Sequence, residues 1–144
     1  MKIIQENDFM KARNALKNSK EKPIVFTSTS DELNRKVMEK EKIDILLINQ
    51  LGRKDYSKQR NSGFNQVLAK IAKKKGITIG INLDEIIESN LQQRAKILAR
   101  IKQNIKLCNK NKLKMKFITL KNPRDVYDLK ALGLTLGMPT WMLK

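Results

Sequence analysis

The chain has 144 residues, with 31 Lys and Arg against 14 Asp and Glu, a formal net charge of +17 and a pI near 10.1. It holds no His and a single Cys, which excludes histidine general bases, Ser-His-Asp triads, intramolecular disulfides and cysteine-rich zinc sites. No apolar run approaches the roughly 20 residues of a membrane helix, and no signal-peptide pattern opens the chain; the expectation is one soluble, cytoplasmic, basic domain over residues 1–144 with no membrane partner.

In chain order, Lys2–Ile4 reads as a short strand. Asp8–Asn18 carries Phe9, Ala12 and Leu16 at helical spacing, with Asn7 or Asp8 as cap. Pro23 interrupts, and Ile24–Ser28 is a buried strand. Asp31 is placed to cap a helix that turns Leu33, Val37 and Met38 to one face. Ile43–Ile48 is a second strong strand whose continuous apolar run suits a parallel strand covered on both faces. Residues 49–60 form a polar loop. A helix over Asn61–Lys75 has Phe64, Val67, Leu68, Ile71 and Ala72 inward and ends at Gly76. Ile77–Ile81 is the next strand. The long helix Leu91–Asn111 places Leu91, Ala95, Leu98, Ile101, Ile105 and Cys108 on one stripe. Met115–Leu120 is the last strand, and Pro123 suits the first turn of a closing helix that ends near Gly137. The segment 139–144 has no periodicity.

Strand and helix patterns that alternate in this way imply βα units and a parallel sheet. Five units in 144 residues average about 29 residues each, too few for an eight-unit barrel of ~250 residues. The fold class is therefore α/β: an open parallel sheet of about five βα units, or a shortened barrel.

The positive charge is uneven. Residues 1–48 carry ten basic and eight acidic side chains, residues 49–82 carry eight basic against Asp55 alone, and residues 83–144 carry thirteen against five. Asymmetry of this kind points to a polyanion, and on so small a domain to nucleic acid. The plainer reading, a lysine-rich solvated surface, has weight because 24 of the 31 basic residues are Lys.

In parallel sheets, function gathers at the carboxyl ends of the strands. The loop after the third strand contains Arg53, Lys54, Lys58 and Arg60, with Tyr56 between them and Phe64 beyond. Cations for phosphates beside an aromatic ring are the ingredients of single-stranded RNA contact, and Gly52 allows a tight turn that would expose Arg53 and Lys54. Lys73, Lys74 and Lys75 end a helix, where the dipole alone favours them. Lys102, Lys106 and Lys110, continued by Lys112, Lys114 and Lys116, make a basic face that suits phosphate binding, protein docking or solvent alike. Lys121 and Arg124, before the closing helix, form a further phosphate candidate. Neither a Walker A loop nor GxGxxG is present. Asp44, Asp55, Asp84, Glu85 and Asp125 have the chemistry of Mg²⁺ ligands, but Asp84 and Glu85 sit where caps and dipole partners are expected. Cys108 lies on an apolar stripe and reads as core. Trp141 either anchors the tail or faces a partner.

Several segments in register carry a resemblance: Asp31-Glu-Leu-Asn-Arg35, Ile43-Asp-Ile-Leu46, Leu51-Gly-Arg-Lys-Asp55, Asn61-Ser-Gly-Phe-Asn65, Val67-Leu-Ala-Lys70, Asn104-Ile-Lys-Leu107, Arg124-Asp125 and Leu134-Thr-Leu-Gly-Met138. Over residues 24–138 the chain resembles the ribonuclease P protein component 3 family of archaea and eukaryotes. The resemblance implies a TIM-like (PHP-like) barrel, here shortened, because the family is longer and its first βα units have no counterpart among these residues. It implies an RNA-binding, non-catalytic subunit of ribonuclease P, the endonuclease that removes the 5′ leader of precursor tRNA. The RNA component and its Mg²⁺ would perform the hydrolysis, and this chain would bind no cofactor or metal directly. The implied partners are ribonuclease P RNA, precursor tRNA and ribonuclease P protein component 2, in an assembly up to a heterotetramer. Carried over as RNA-binding are Arg53, Lys54 and Asn65, then Arg35 and Arg124; Lys58, Arg60 and Lys121 join them on charge and position. Gln66 stands where the family often has His. The alternatives are an RNA-binding or scaffold protein of another ribonucleoprotein, and a degenerate barrel phosphoesterase, a class that uses metal-binding His.

Overall fold

A computed structural model describes residues 1–143. Strands β1 (Lys2–Gln5), β2 (Ile24–Thr27), β3 (Ile45–Ile48), β4 (Thr78–Asn82) and β5 (Met115–Ile118) alternate with helices α1 (Phe9–Asn18), α2 (Asp31–Lys40), α3 (Gln66–Lys75), α4 (Leu83–Glu88), α5 (Leu91–Lys110) and α6 (Val126–Leu136). The strands form one all-parallel sheet in the order β1-β2-β3-β4-β5. Sequential parallel order, whose crossovers are right-handed as a general rule, is the wall of a TIM-like barrel left open, with β1 and β5 at its edges among the described residues.

The side-chain period of two divides the sheet. Ile24, Phe26, Leu46, Ile48, Ile79 and Ile81 face the helices and join one continuous core. Val25, Ile45, Leu47 and Ile118 turn the other way and close on each other as a second, smaller cluster, with Ile3 against it. Gly80 makes that closure possible. A Cβ there would lie 3.0 Å from Ile45 Cγ2, 3.2 Å from Leu47 Cδ1 and 3.3 Å from Ile118 Cγ1.

Several boundaries differ from the sequence expectations, each for a hydrogen-bonding or packing reason. Ser30 rather than Asp31 caps α2, its side chain accepting from the Leu33 N–H. Helix α3 begins at Gln66, because Asn65 is the cap and 61–65 run non-helical before it; Phe64 is buried from that segment, whereas Val67 is exposed. Thr119 and Leu120 leave the last strand to bond with Asp84. Asp125 caps α6, so Pro123 precedes the helix instead of opening it. The short helix α4 has no counterpart in the apolar periodicity. On α5 the buried stripe is Ile97, Arg100, Ile101, Asn104, Ile105 and Cys108, while Leu91 and Ala95 face out. Cys108 is core as expected, and burial pushes its thiol up to about 12. Trp141 anchors the tail: its Nε1 donates to Asn109 Oδ1 at 3.3 Å and the Lys112 ammonium lies 5.8 Å from its ring centre. Among the described residues no helix is long and apolar enough to cross a membrane.

Candidate nucleic-acid interface

The loop between β3 and α3 is pinned from beneath by two arginines. Arg53 turns inward and makes a two-pronged ion pair with Asp31, both contacts at 2.9 Å, while its Nε donates to the Asn49 carbonyl at 2.6 Å. Its side chain is 12% exposed. Arg100, 3% exposed on α5, reaches across to the same loop. Its Nε donates to Asp55 at 2.9 Å, Nη1 to the Gln50 carbonyl at 2.9 Å and Nη2 to the Arg53 carbonyl at 2.7 Å. Arg100 and the Asn61 N–H hold the Asp55 carboxyl below its ordinary value.

Gly63 is required by this arrangement. Its φ is +73°, and a Cβ there would lie 2.5 Å from Arg53 Nη2 and 2.9 Å from Ile48 Cγ2. A side chain at this position displaces the guanidinium from Asp31.

Two adjacent carboxylates after β4 hold the two flanking loops. Glu85 accepts from the Gln50 and Leu51 N–H groups at 2.8 and 3.1 Å. Burial raises its carboxyl above the ordinary value, offset only in part by those donors and by the Arg53 charge. Asp84 accepts from Thr119 Oγ1 at 2.6 Å, the Leu120 N–H at 2.9 Å and the Asn122 N–H at 3.1 Å, with the Lys121 N–H at 3.3 Å. Burial is the largest single influence on Asp84 and opposes its ionisation; the donors together outweigh it and hold the carboxyl well below the usual range.

With those struts in place, the polar rim opens a groove of about 470 Å³ between the β3–α3 loop and the first turn of α2. It brings together Arg35, Tyr56, Arg60, Asn61 and Asn65, with Phe64 and Leu68 among its walls. Tyr56 is 59% exposed. The structure thus gathers Arg35, Arg60 and Asn65, with Lys54 and Lys58 exposed on the same loop. Arg35 keeps an exposed (i, i+4) pair with Glu39 at 2.9 Å, an association weak enough to exchange. Asn65 spends its side-chain oxygen on the Leu68 N–H at 2.9 Å, which leaves its amide NH₂ for a ligand.

One expectation needs correcting: Gly52 does not expose Arg53, and of the two only Lys54 faces solvent. Lys121 and Arg124 are exposed and lie outside the groove; the Leu120, Lys121 and Asn122 N–H groups beside them bond to Asp84. Arg100, on which the loop depends, has no place in the sequence expectations, and Asp84 and Glu85, expected as caps and dipole partners, instead hold the flanking loops. The signal for Arg100 was its place in the 97-101-105-108 register, where an unpaired charge is not tolerated. Gln66 forms a reciprocal amide pair with Asn111 at 2.9 and 3.0 Å, tying α3 to α5. Among the described residues no three of Cys, Asp and Glu come together as a metal cluster.

A family model described as RNase P subunit p30 matches residues 4–140. The chain belongs to that family. The ribonuclease P protein component 3 of Methanosarcina mazei is 30% identical over 114 residues, covering 79% of this chain and 44% of that protein. Those of Methanocaldococcus jannaschii and Thermococcus gammatolerans are each 32% identical, covering 78% and 81% of this chain and 48% and 54% of those proteins. The chain therefore spans about half the length of these p30-family relatives. A chain of the cryo-EM structure of archaeal ribonuclease P with mature tRNA superposes with a TM-score of 0.81 at 27% identity, over 97% of this chain and 61% of that one.

Proposed function

We propose that this protein is an RNA-binding subunit of ribonuclease P and assists the catalytic RNA in removing the 5′ leader from precursor tRNA. The observation that carries the reading is the superposition of nearly the whole chain on a chain of archaeal ribonuclease P, joined to the family match over residues 4–140. The partners are ribonuclease P RNA, precursor tRNA and ribonuclease P protein component 2, in an assembly up to a heterotetramer in the cytoplasm. Hydrolysis belongs to the RNA and its Mg²⁺, and the chain holds no cofactor of its own.

The groove fits this role chemically. Arg35, Arg60, Lys54 and Lys58 supply charge to phosphates, Tyr56 a stacking surface, and Asn61 and Asn65 amides for base edges. Arg53, with Arg100, sets the loop that presents them, so it supports RNA contact from beneath; Lys121 and Arg124 would form a separate, weaker contact. The test is reconstitution. Catalytic RNA with and without this chain is assayed for precursor tRNA cleavage at limiting Mg²⁺, alone and with component 2. Stimulation is expected, most strongly with component 2; no stimulation in either arm overturns the proposal.

A further inference from the structure

A second cleft, of about 570 Å³, lies along α5 and is lined by Arg60, Leu98, Ala99, Lys102, Gln103 and Lys106, with Ala95 at its end. It shares Arg60 and Gln103 with the groove above. Gln103 belongs to the wall between them: its Nε2 donates to the Arg60 carbonyl at 3.2 Å and to Ser62 Oγ at 3.3 Å. The two depressions therefore form one path that bends around Arg60.

The two halves differ in chemistry. Among the described residues no acid lines the α5 cleft. Lys102 and Lys106 stand one turn apart on one helix face, about 6 Å along the axis, and Leu98 and Ala99 offer a low apolar floor beside them. The groove half contains Asp31 and Glu32 as well as Arg35. Asp31 is neutralised by Arg53, and a carboxylate at Glu32 repels phosphate but accepts readily from the exocyclic amine of a base. Amide side chains and the Tyr56 ring complete a set that suits a nucleobase better than a backbone.

Building on the RNA-binding reading above, we propose that a single RNA strand follows this path, with its phosphates on Lys102 and Lys106 along α5 and an unstacked base turned into the Tyr56 groove. Arg60 is the hinge that contacts the phosphate between the two halves.

The experiment measures binding of the full chain to a labelled single-stranded RNA and to a hairpin of equal length, over a salt series. Three variants are compared: K102A/K106A on the track, K17A/K20A removing the same charge from the end of α1, and Tyr56→Ala. We expect K102A/K106A to weaken single-strand binding about tenfold and to reduce the salt slope by about 1.4, from roughly 0.7 per phosphate contact on a single strand. K17A/K20A is expected to stay within about twofold. Tyr56→Ala is expected to weaken single-strand binding with an unchanged salt slope, because stacking releases no counterions. Equal losses in the two lysine pairs overturn the track in favour of diffuse attraction. Unchanged RNA binding in K102A/K106A, with loss of stimulation only when component 2 is present, overturns it in favour of a protein-docking face. Track-dependent binding without any stimulation of ribonuclease P RNA leaves the track standing and removes the proposed function; stimulation with full affinity in K102A/K106A does the reverse. A wild-type chain that binds no RNA overturns both.

Discussion

The arginines of this protein divide into struts and contacts. Arg100 satisfies two loop carbonyls and one carboxylate from a 3% exposed position. Truncation leaves the Gln50 and Arg53 carbonyls without their donor while Asp55 returns to solvent, so Arg100→Ala is expected to cost about 2 kcal/mol, read as a lower midpoint in urea unfolding. Lys54→Ala, on the exposed side of the same loop, is expected to change stability by less than about 0.5 kcal/mol while weakening RNA. If Arg100→Ala unfolds with the wild-type midpoint, the loop is not held as described. Gly63→Ala tests the other strut, because its Cβ collides with Arg53. That variant should lose stability, and Arg53→Ala combined with it should lose less than the sum of the two single changes, since the collision is then already relieved. Additive losses would mean that the Gly63 effect lies in backbone strain and the Ile48 contact, not in Arg53. A chain of letters shows these arginines only as equivalent cations. Their division becomes visible when the helix register is placed: Arg100 shares the face of Ile97 and Ile101, and Arg53 finds Asp31, 22 residues back in the chain.

At the scale of elements, the β4–α4 junction works as a clamp with two jaws of opposite electrostatic character. Asp84 is held below its ordinary 3.8 and Glu85 above its ordinary 4.5. A carboxyl depressed by folding contributes stability that is complete above the unfolded value and is lost as the pH falls through the folded one. A carboxyl raised by folding does the opposite: its contribution is complete below the unfolded value and lost as the pH rises through the folded one. Acid unfolding of the wild type should therefore contain an Asp84 component beginning near pH 4, and Asp84→Asn should lack it. Glu85→Gln keeps an acceptor for the Gln50 and Leu51 N–H groups, so at neutral pH it should be tolerated and flatten the stability profile just above pH 4.5, whereas Glu85→Ala leaves both donors bare at about 1–3 kcal/mol. Parallel pH profiles for wild type and Asp84→Asn would show that the carboxylate is not the clamp. Strands β1 to β5 and helices α1, α2, α3 and α5 were legible because contiguous β-branched runs and amphipathic stripes carry a period. Helix α4, six residues long, is too short to display one, and the true start of α3 depended on Asn65 choosing to cap rather than continue. The loops were legible in composition but not in direction, because what aims them lies on α4 and α5.

For the whole molecule, the charge asymmetry makes two salt effects of opposite sign. The free chain carries +17, and its self-repulsion weakens as the Debye length shortens from roughly 14 Å to 6 Å between about 0.05 and 0.3 M salt. The ion pairs that support the interface do not offset this loss of repulsion by weakening in step. Arg53–Asp31 and Arg100–Asp55 are both 2.9 Å contacts whose guanidinium sides are nearly enclosed and whose carboxylates are 40% and 33% exposed, so salt weakens them less than pairs exposed on both sides. The melting temperature of the free protein should therefore rise with salt over this range. RNA affinity should fall over the same range, because each phosphate contact releases counterions that a higher salt concentration takes back. Calorimetry of the free chain and binding titrations in matched buffers measure the two trends. A melting temperature that falls with salt would place the stabilising electrostatics in exposed pairs such as Arg35–Glu39 rather than in the enclosed struts, and would remove the separation between scaffold and contact charges on which the interface assignment rests.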